Sequence, residues 1–431
     1  MKQAATAVPP RPELRRQEPV RPGLLQPGSP RRQRTVFLIV SGLSTAGSFA
    51  GLTAKGWILM QVTGNPLLLA VHFAALALPS LLLSGAAGVM TDRVGCEGVL
   101  IRAQWGLFAG AVLGALAIPL LHGQAQVVVL LLSTLLMGVA STYELTARNK
   151  YSALLVDRAE GLAPYLASFA VVFNVGKLVG PPLGGWLVAL TGPVAALSID
   201  AASYLLPIAA VTWLLRPRKE TEQRSGSLEA ASLGTAWRSC GPTLRHVLRF
   251  TALSCLVIFF HPALAPVMAA KVLGPSPQDL GVFTSVLAAG SIAGGVVLRR
   301  WSHWISHRPG LLMGACTAIT ALAQLGMAVS IHPAMSLAMT FVIGAGTAAL
   351  LPGVSLIGQV GAPMVLRGRM AGMFQIAFLG GGGIGGLMAG LLTQRIGLLP
   401  TFALLGSTGL VLGLAELVRH GGLRIQTLRS A

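Results

Sequence analysis

The sequence predicts an all-α polytopic membrane protein whose twelve transmembrane helices form two pseudo-symmetric six-helix bundles. Apolar residues make up 53% of its 431 residues and charged residues only 10%, whereas a soluble domain carries about 25% charged residues. The apolar residues lie in stretches of roughly 20, the length that a helix needs to cross a bilayer. Basic residues collect in every second connection between those stretches. This composition argues against a water-soluble enzyme and against a disordered chain.

Six apolar stretches precede a polar segment and six follow it, so the chain divides into two halves. The predicted spans of the first half are residues 35–62, 66–90, 99–121, 125–147, 162–190 and 193–215. Those of the second half are residues 247–270, 279–299, 310–331, 333–358, 368–394 and 398–419. We therefore expect an N-terminal bundle over residues 35–215, a linker over 216–246 and a C-terminal bundle over 247–420. The flanking segments are a basic, proline-rich tail that we expect to be disordered, residues 1–34, and a second tail, residues 421–431.

The distribution of basic residues predicts the orientation of the chain. Of 32 lysines and arginines, 28 lie in the tails, the linker and alternate loops, whereas Lys271 and Arg395 alone lie on the opposite side. The positive-inside rule predicts such an asymmetry when both termini are cytoplasmic. The net charge of +19 then belongs to a face that anionic lipid attracts. We expect a multi-pass protein of the cell inner (plasma) membrane and no nucleic-acid partner, since the N-terminal tail has no aromatic residue to stack on bases.

The sequence offers no recognisable site for a cofactor, a metal or covalent catalysis. The four cysteines, Cys96, Cys240, Cys255 and Cys316, form no C-x-x-C pair. There is no nucleotide-binding P-loop and no G-x-S-x-G nucleophile motif. We therefore expect neither an enzyme nor an ATP-driven pump, and no metal or cofactor.

A weak internal repeat relates the two halves. Four glycines recur 205 residues later in the same order: Gly176, Gly180, Gly185 and Gly192 correspond to Gly381, Gly385, Gly390 and Gly397. This repeat pairs the fifth span with the eleventh. Two six-helix halves related by an axis along the membrane normal are a known transporter architecture.

Several motifs resemble those of the major facilitator superfamily, over nearly all of residues 35–420. The stretch GAAGVMTDRVG, residues 85–95, resembles the loop signature G-x-x-x-D-R-x-G, and GKLVGPPLGG, residues 176–185, fits the drug–proton antiporter signature G-x-x-x-G-P-x-x-G-G. QVTGNP, QVGAPMVLRGRMAGMF and SIDAASYLL, residues 61–66, 359–374 and 198–206, are similar to the exporter subfamily that includes the enterobactin exporter. Span four lacks the arginine that many proton-coupled exporters carry there.

The resemblance implies a secondary active transporter that exports a small amphipathic molecule, a siderophore or a drug-like compound, by alternating access with proton antiport. Its partners would be the substrate, protons and the lipid bilayer, and we expect a monomer. Three alternatives stay open. The chain could import a small solute such as a siderophore, could be a sensor or scaffold that transports nothing, or could move lipid.

Asp92 and Arg93 are the gating candidates in the loop signature. The resemblance implies that they form a latch that holds the cytoplasmic side in one state. The alternative is an acid that caps a tight loop.

The span-five signature supplies a second set of gating candidates: Gly176, Gly180, Pro181, Gly184 and Gly185. Glycines at this spacing let two helix backbones approach closely, and a proline removes one backbone donor and bends the helix. These features suit a rocking interface, and plain helix packing is the alternative.

Lys177 is the most informative charge because it lies near the middle of the fifth span. A lone cation at this depth costs about 2.5–3.5 kcal/mol on insertion scales, so it needs a partner or water. We expect Lys177 and Asn174 to face a central cavity and bind an anionic or carbonyl-rich substrate. An ion pair between Lys177 and Asp200 is the alternative.

Asp200 and Lys55 are further charges inside predicted spans. Asp200 is a proton-coupling candidate, although it could instead pair with Lys177 or cap a helix turn. Lys55 could line the cavity or extend to the membrane surface. Two histidines, His72 and His261, are expected to be satisfied core residues in preference to proton relays. Glu144 and Glu416 lie near cytoplasmic helix ends and are expected to extend to the membrane surface or to pair with the nearby Arg148 and Arg419.

Overall fold

The computed structural model describes residues 30–156, 159–215, 241–305, 308–361 and 367–421. Residues 1–29, 216–240 and 422–431 lie outside the described residues, so the expectations for most of the tails and the linker stay predictions. The expected bounds were too wide, because helices begin at Pro30 and at Pro242, inside the expected tail and linker.

The described residues form thirteen α-helices, numbered here in chain order. The helices of the first half are α1 (Pro30–Thr63), α2 (Pro66–Val94), α3 (Cys96–Leu120), α4 (Gly123–Leu154), α5 (Ala159–Thr191) and α6 (Pro193–Ala209), the last continued by a π-helical turn, Ala210–Leu214. Those of the second half are α7 (Pro242–Ile258), α8 (His261–Val272), α9 (Pro277–Ile305), α10 (Pro309–Ala328), α11 (Pro333–Gly361), α12 (Arg367–Ile396) and α13 (Leu398–His420).

Short connections determine where the helices begin and end. Proline is the first residue of α2, where its fixed φ suits a helix start, and Asn65 caps that helix by accepting the Leu67 N–H at 2.9 Å. Gly192 and Gly397 precede α6 and α13 with φ of 83° and 90°, values that glycine adopts without strain. These two glycines are related by the 205-residue repeat, so the repeat reappears as backbone conformation.

Eleven segments of the described residues are long and apolar enough to cross a membrane. One of them, Pro242–Val272, contains α7 and α8, which are separated at Phe259 and Phe260. The 33 residues of α5 make the twelfth span. It lies alongside α1. The predicted twelve-span, all-α fold class is confirmed.

The helix contacts follow the same pattern in both halves. In the first half α1 packs on α5 and α6, α4 packs on α2 and α3, and α3 packs on α6. In the second half α7 packs on α12 and α13, α11 packs on α9 and α10, and α10 packs on α13. The halves meet mainly where α2 packs on α12 and α5 packs on α9. A pseudo-twofold axis exchanges these two inter-half contacts.

Glycines of the repeat let α5 and α12 pack closely on equivalent helices of their own halves. A Cβ atom on Gly180 would lie 2.7 Å from the carbonyl oxygen of Ala46 in α1, and one on Gly381 would lie 2.7 Å from that of Ala252 in α7. No side chain fits at such distances, because the obstructing atoms are backbone. The pattern indicates rigid packing of α5 on α1 and of α12 on α7, each within its own half.

Candidate functional site

Lys177 lies at the junction of the two halves. Its Nζ atom is 5.9 Å from the ring centroid of Phe49 in α1 and 5.6 Å from that of Phe378 in α12. Both distances are within the range of cation–π attraction. Among the described residues no carboxylate lies within ion-pair distance of Lys177. Two aromatic faces, one from each half, therefore replace a counter-ion.

The aromatic surface continues from Phe378 into the break between α7 and α8. The rings of Phe378 and Phe259 are 4.3 Å apart, and that of Phe259 meets the ring of His261 edge-on at 5.3 Å. The Nδ1 atom of His261 is buried and has no hydrogen-bond partner among the described residues. We call Phe49, Lys177, Phe259, His261 and Phe378 the central cluster. It combines one cation, three phenyl rings and one available imidazole nitrogen between the halves.

The halves touch at one end of the molecule, which we call the turn end because it carries the short connections at Gly64, Gly192 and Gly397. Here a Cβ on Gly185 of α5 would lie 2.6 Å from the Cα of Gly281 in α9. A Cβ on Gly390 of α12 would lie 3.3 Å from the Cα of Leu67 in α2. Each contact is backbone against backbone across the interface.

The opposite end carries Arg93, Arg245 and Arg419, and we call it the basic end. The glycines of α12 contact α2 as far toward this end as Leu81. Farther along, a Cβ on Gly88 in α2 or on Gly295 in α9 would meet none of the described residues within 4 Å. Asn174, one turn before Lys177 on α5, is exposed. Among the described residues, the glycine contacts between the halves thus lie toward the turn end, and Lys177 lies between them and the basic end.

Lys55 lies inside the N-terminal half. The side chain is 1% exposed, and its ammonium donates a hydrogen bond to Ser133 Oγ of α4 at 3.0 Å and lies 3.0 Å from Met137 Sδ. A Cβ on Gly114 of α3 would overlap its last methylene group. Lys55 therefore contacts α3 and α4, and the structure does not bring it to Lys177.

Asp200 is buried on α6 against α1, where Gly47 and Gly51 leave room for its carboxylate. Neither carboxylate oxygen accepts a hydrogen bond of ideal geometry from the described residues, but the Tyr204 hydroxyl, which donates to Ser48 Oγ at 2.9 Å, lies close enough to interact with the carboxylate. The cation whose charge acts on it is Lys55. Asp200 and Lys55 are thus a separated pair of opposite charges in the N-terminal half.

Two further polar groups are satisfied inside the N-terminal half. His72 uses both ring nitrogens, at 3.1 Å from the Leu52 carbonyl oxygen and at 3.0 Å from Thr134 Oγ1. Glu144 and Arg148 form a buried ion pair at 3.0 Å, one helix turn apart. The sequence predicted this pair as the alternative to an acid that extends to the membrane surface.

Asp92 and Arg93 lie at the basic end, and both are exposed. Asp92 accepts a hydrogen bond from Lys150 of α4 at 3.1 Å, and its side chain is 75% exposed. The pair joins α2 to α4 within the first half. An ion pair this exposed contributes less than about 1 kcal/mol, so it can exchange partners readily.

The span-five glycines separate into two groups. Gly176, Gly180 and Gly184 all face α1, where a Cβ on any of them would overlap backbone atoms. Gly185 faces α9 in the other half. Pro181 is half-buried within α5, which continues as a helix through it.

The sequence interpretation missed the aromatic partners of Lys177 and a histidine–carboxylate cluster at the basic end. Phe378 lies 201 residues beyond Lys177, and only the fold shows their proximity. Glu416 accepts hydrogen bonds from His246 at 2.9 Å and from His420 at 3.1 Å, whereas we expected Arg419 as its neighbour. Glu416 and His420 are one helix turn apart, which was the available signal.

Comparison with known proteins identifies the family. The family described as transmembrane secretion effector, a branch of the major facilitator superfamily, matches residues 27–426. The chain belongs to this family. It is therefore a multi-pass membrane transporter of small molecules and not an enzyme, and the recognition made from the sequence motifs is confirmed.

Individual relatives and structures agree with this family. The transporter is 27% identical over 392 residues to the multidrug efflux pump Tap of Mycolicibacterium fortuitum, covering 88% of this chain and 94% of that protein. It is 25% identical over 394 residues to Tap of Mycobacterium tuberculosis, covering 87% and 91%. A crystal structure of the nucleoside transporter NupG (D323A mutant) shares the fold with a TM-score of 0.73 at 14% identity, covering 90% of this chain and 99% of that one.

Proposed function

We propose that the transporter exports small amphipathic molecules by alternating access and that the central cluster binds them. The observation that carries this proposal is the position of Lys177 between Phe49 and Phe378. A cation without a carboxylate partner, between rings of the two halves, is suited to a ligand that must contact both halves in turn. Secondary transporters of this plan bind substrate between their halves.

The chemistry of the central cluster favours a particular class of substrate. The Lys177 ammonium attracts an anionic or carbonyl oxygen, the phenyl rings favour a flat apolar portion, and the His261 nitrogen can form one hydrogen bond. An amphipathic compound with ring systems and acidic or carbonyl groups meets all three requirements. Siderophores and many drug-like compounds belong to this class.

Export is supported by the relatives and by the charge pattern. Tap is named as a multidrug efflux pump, and the chain spans 94% of its length. The positive-inside rule assigns the basic end to the cytoplasm. We infer that the interface opens at that end, because the glycine contacts between the halves lie toward the turn end. Asn174 and Lys177 would then be reached from the side on which an exporter of the plasma membrane loads its substrate.

Asp200 is the candidate for proton coupling. A buried carboxylate near a buried lysine can change the charge of the N-terminal half by gaining or losing one proton. Protonation would leave the Lys55 charge uncompensated, which favours a rearrangement of α1 against α6. We propose that this step links proton uptake to movement of the halves.

Asp92 and Arg93 are the candidate gate at the basic end. At the turn end, the close contacts that Gly185 and Gly390 make with the other half must separate. Closing the basic end would bring the α2 loop toward the second half. We propose that Asp92 then exchanges Lys150 for a group of the second half. Gly176, Gly180 and Gly184 hold α5 on α1 during this motion.

The test compares Lys177→Met with Lys177→Arg in cells that lack other efflux pumps, with an anionic fluorescent dye as substrate. Loss of the ammonium removes cation–π contacts worth about 0.5–2 kcal/mol each, so we expect Lys177→Met to weaken export roughly tenfold or more. Lys177→Arg should retain part of the activity, and Lys271→Met, a change in an exposed lysine at the turn end, should retain all of it.

An uncoupler arm distinguishes the energy source from the site. If the wild type accumulates the dye after uncoupler treatment to the level of the empty strain, export depends on the proton gradient. Undiminished export by Lys177→Met would contradict the proposed site. Faster dye uptake in wild-type cells than in the empty strain would contradict the direction.

A further inference from the structure

We propose that His246, Glu416 and His420 form a binding site for one divalent transition-metal ion, Zn²⁺ above all, at the basic end of the C-terminal half. The three residues come from the start of α7 and the end of α13. The site lies outside the central cluster. It would join span seven to span twelve.

The ligand atoms are already gathered. His246 Nε2 lies 2.9 Å and 3.1 Å from the two oxygens of Glu416, and His420 Nδ1 lies 3.1 Å from one of them. All of these ligand atoms lie within 4.8 Å of one another. Zinc bonds of about 2.0–2.1 Å in a tetrahedron separate neighbouring ligand atoms by about 3.3 Å. The two histidine–carboxylate distances therefore need to change by only a few tenths of an ångström, whereas ligand atoms as far apart as 4.8 Å would have to move about 1.5 Å closer to share one ion.

The donor types select the ion. Two imidazole nitrogens and one carboxylate are the ligand set of His₂Glu zinc sites, whereas Ca²⁺ and Mg²⁺ prefer oxygen ligands. Zinc, copper, nickel and cobalt all accept imidazole.

Burial distinguishes this group from a surface ion pair. The Glu416 side chain is 3% exposed, and each histidine side chain is 33% exposed. The carboxylate is thus fixed at the inner side, while the two imidazoles leave a path for the ion and a fourth position for water. The same contacts would also be made by three side chains that only hydrogen-bond to one another. A measured metal affinity distinguishes a metal site from such a hydrogen-bonded cluster.

The test uses the full chain in detergent, purified through a tag without histidine and treated with a chelator. Zn²⁺ is titrated in competition with a fluorescent zinc indicator, and bound metal is counted by mass spectrometry. We expect one Zn²⁺ per chain in the wild type, about tenfold or more weaker binding in His246→Asn, His420→Asn and Glu416→Gln, and no change in His332→Asn, which alters an exposed loop histidine.

A thermal melt with and without Zn²⁺ provides the second readout. The melting temperature should rise on zinc addition in the wild type and in His332→Asn, and should not rise in His246→Asn. This readout does not depend on transport, so its failure is separate from failure of the proposed export. Equal zinc binding by the wild type and the His246→Asn/His420→Asn double variant would overturn the proposal.

Discussion

The buried charges Lys55 and Asp200 allow a sharp test of the electrostatics of the N-terminal half. Each side chain is 1% exposed. Lys55→Met removes the cation with little change of volume and leaves the Asp200 carboxylate without a nearby positive charge. Asp200→Asn leaves the ammonium with Ser133 Oγ at 3.0 Å as its hydrogen-bond acceptor. Either change should destabilise the fold, and the double change should destabilise it by less than the sum of the two.

The magnitude follows from the separation of the two groups. Unit charges 4 Å apart attract by about 4 kcal/mol at an effective dielectric constant of about 20. Asp200 has no hydrogen-bonded cation among the described residues, so the charges are farther apart and about 4 kcal/mol is an upper bound. We expect each single substitution to cost about 2–4 kcal/mol, and a coupling free energy of about 1–3 kcal/mol in the double-mutant cycle.

The assay is unfolding in mixed dodecyl sulfate micelles, followed by circular dichroism, for the wild type, both single variants and the double variant. Glu97→Gln, which alters an exposed acid in the first turn of α3, is the matched control and should change the free energy of unfolding by less than about 0.5 kcal/mol. If the two single effects add within about 0.5 kcal/mol, the charges do not compensate each other and the coupling role proposed for Asp200 loses its basis.

Three further outcomes follow from the described contacts. Gly180→Val should lower the free energy of unfolding by about 1–3 kcal/mol or more, because the valine side chain would overlap α1, whereas Gly88→Val should be tolerated. The yield of folded protein in size-exclusion chromatography checks this, and equal yields of the two variants would contradict it. Phe378→Leu should weaken dye binding more than Phe378→Tyr does, since only leucine removes the aromatic face beside Lys177. Fluorescence quenching measures the dye affinity, and equal affinities of the two variants would contradict the aromatic role. Asp92→Asn should leave the unfolding free energy within about 1 kcal/mol of the wild type, because the Lys150 pair is exposed, yet should slow export if the gate proposal holds; an unchanged export rate would contradict the gate.

The sequence was sufficient for the fold class because lipid imposes simple requirements. Spans of about 20 apolar residues, basic residues on one side and a glycine repeat of 205 residues each reflect one physical constraint. The repeat proved informative at the level of contacts. Gly180 and Gly381 occupy equivalent positions against α1 and α7, and Gly192 and Gly397 share a positive φ.

The individual sites were predictable only in part. Lys177 was identifiable because a cation in a span is costly wherever its partner lies. The ring of Phe378 and the acceptor Ser133 were not identifiable, because each depends on which helices become neighbours. The sequence left Lys55 between a cavity and the membrane surface, and the structure buries it in the N-terminal half.

The most direct test of the central claim is the accessibility of position 174 to water. Asn174→Cys is made in a variant without native cysteines and is treated with a membrane-impermeant thiol reagent, with Val411→Cys on the exposed face of α13 as the control. We predict labelling of Asn174→Cys in inside-out vesicles and little in right-side-out vesicles, and no labelling of Val411→Cys from either side. Absence of labelling at position 174 from the cytoplasmic side would contradict a substrate path between the two halves.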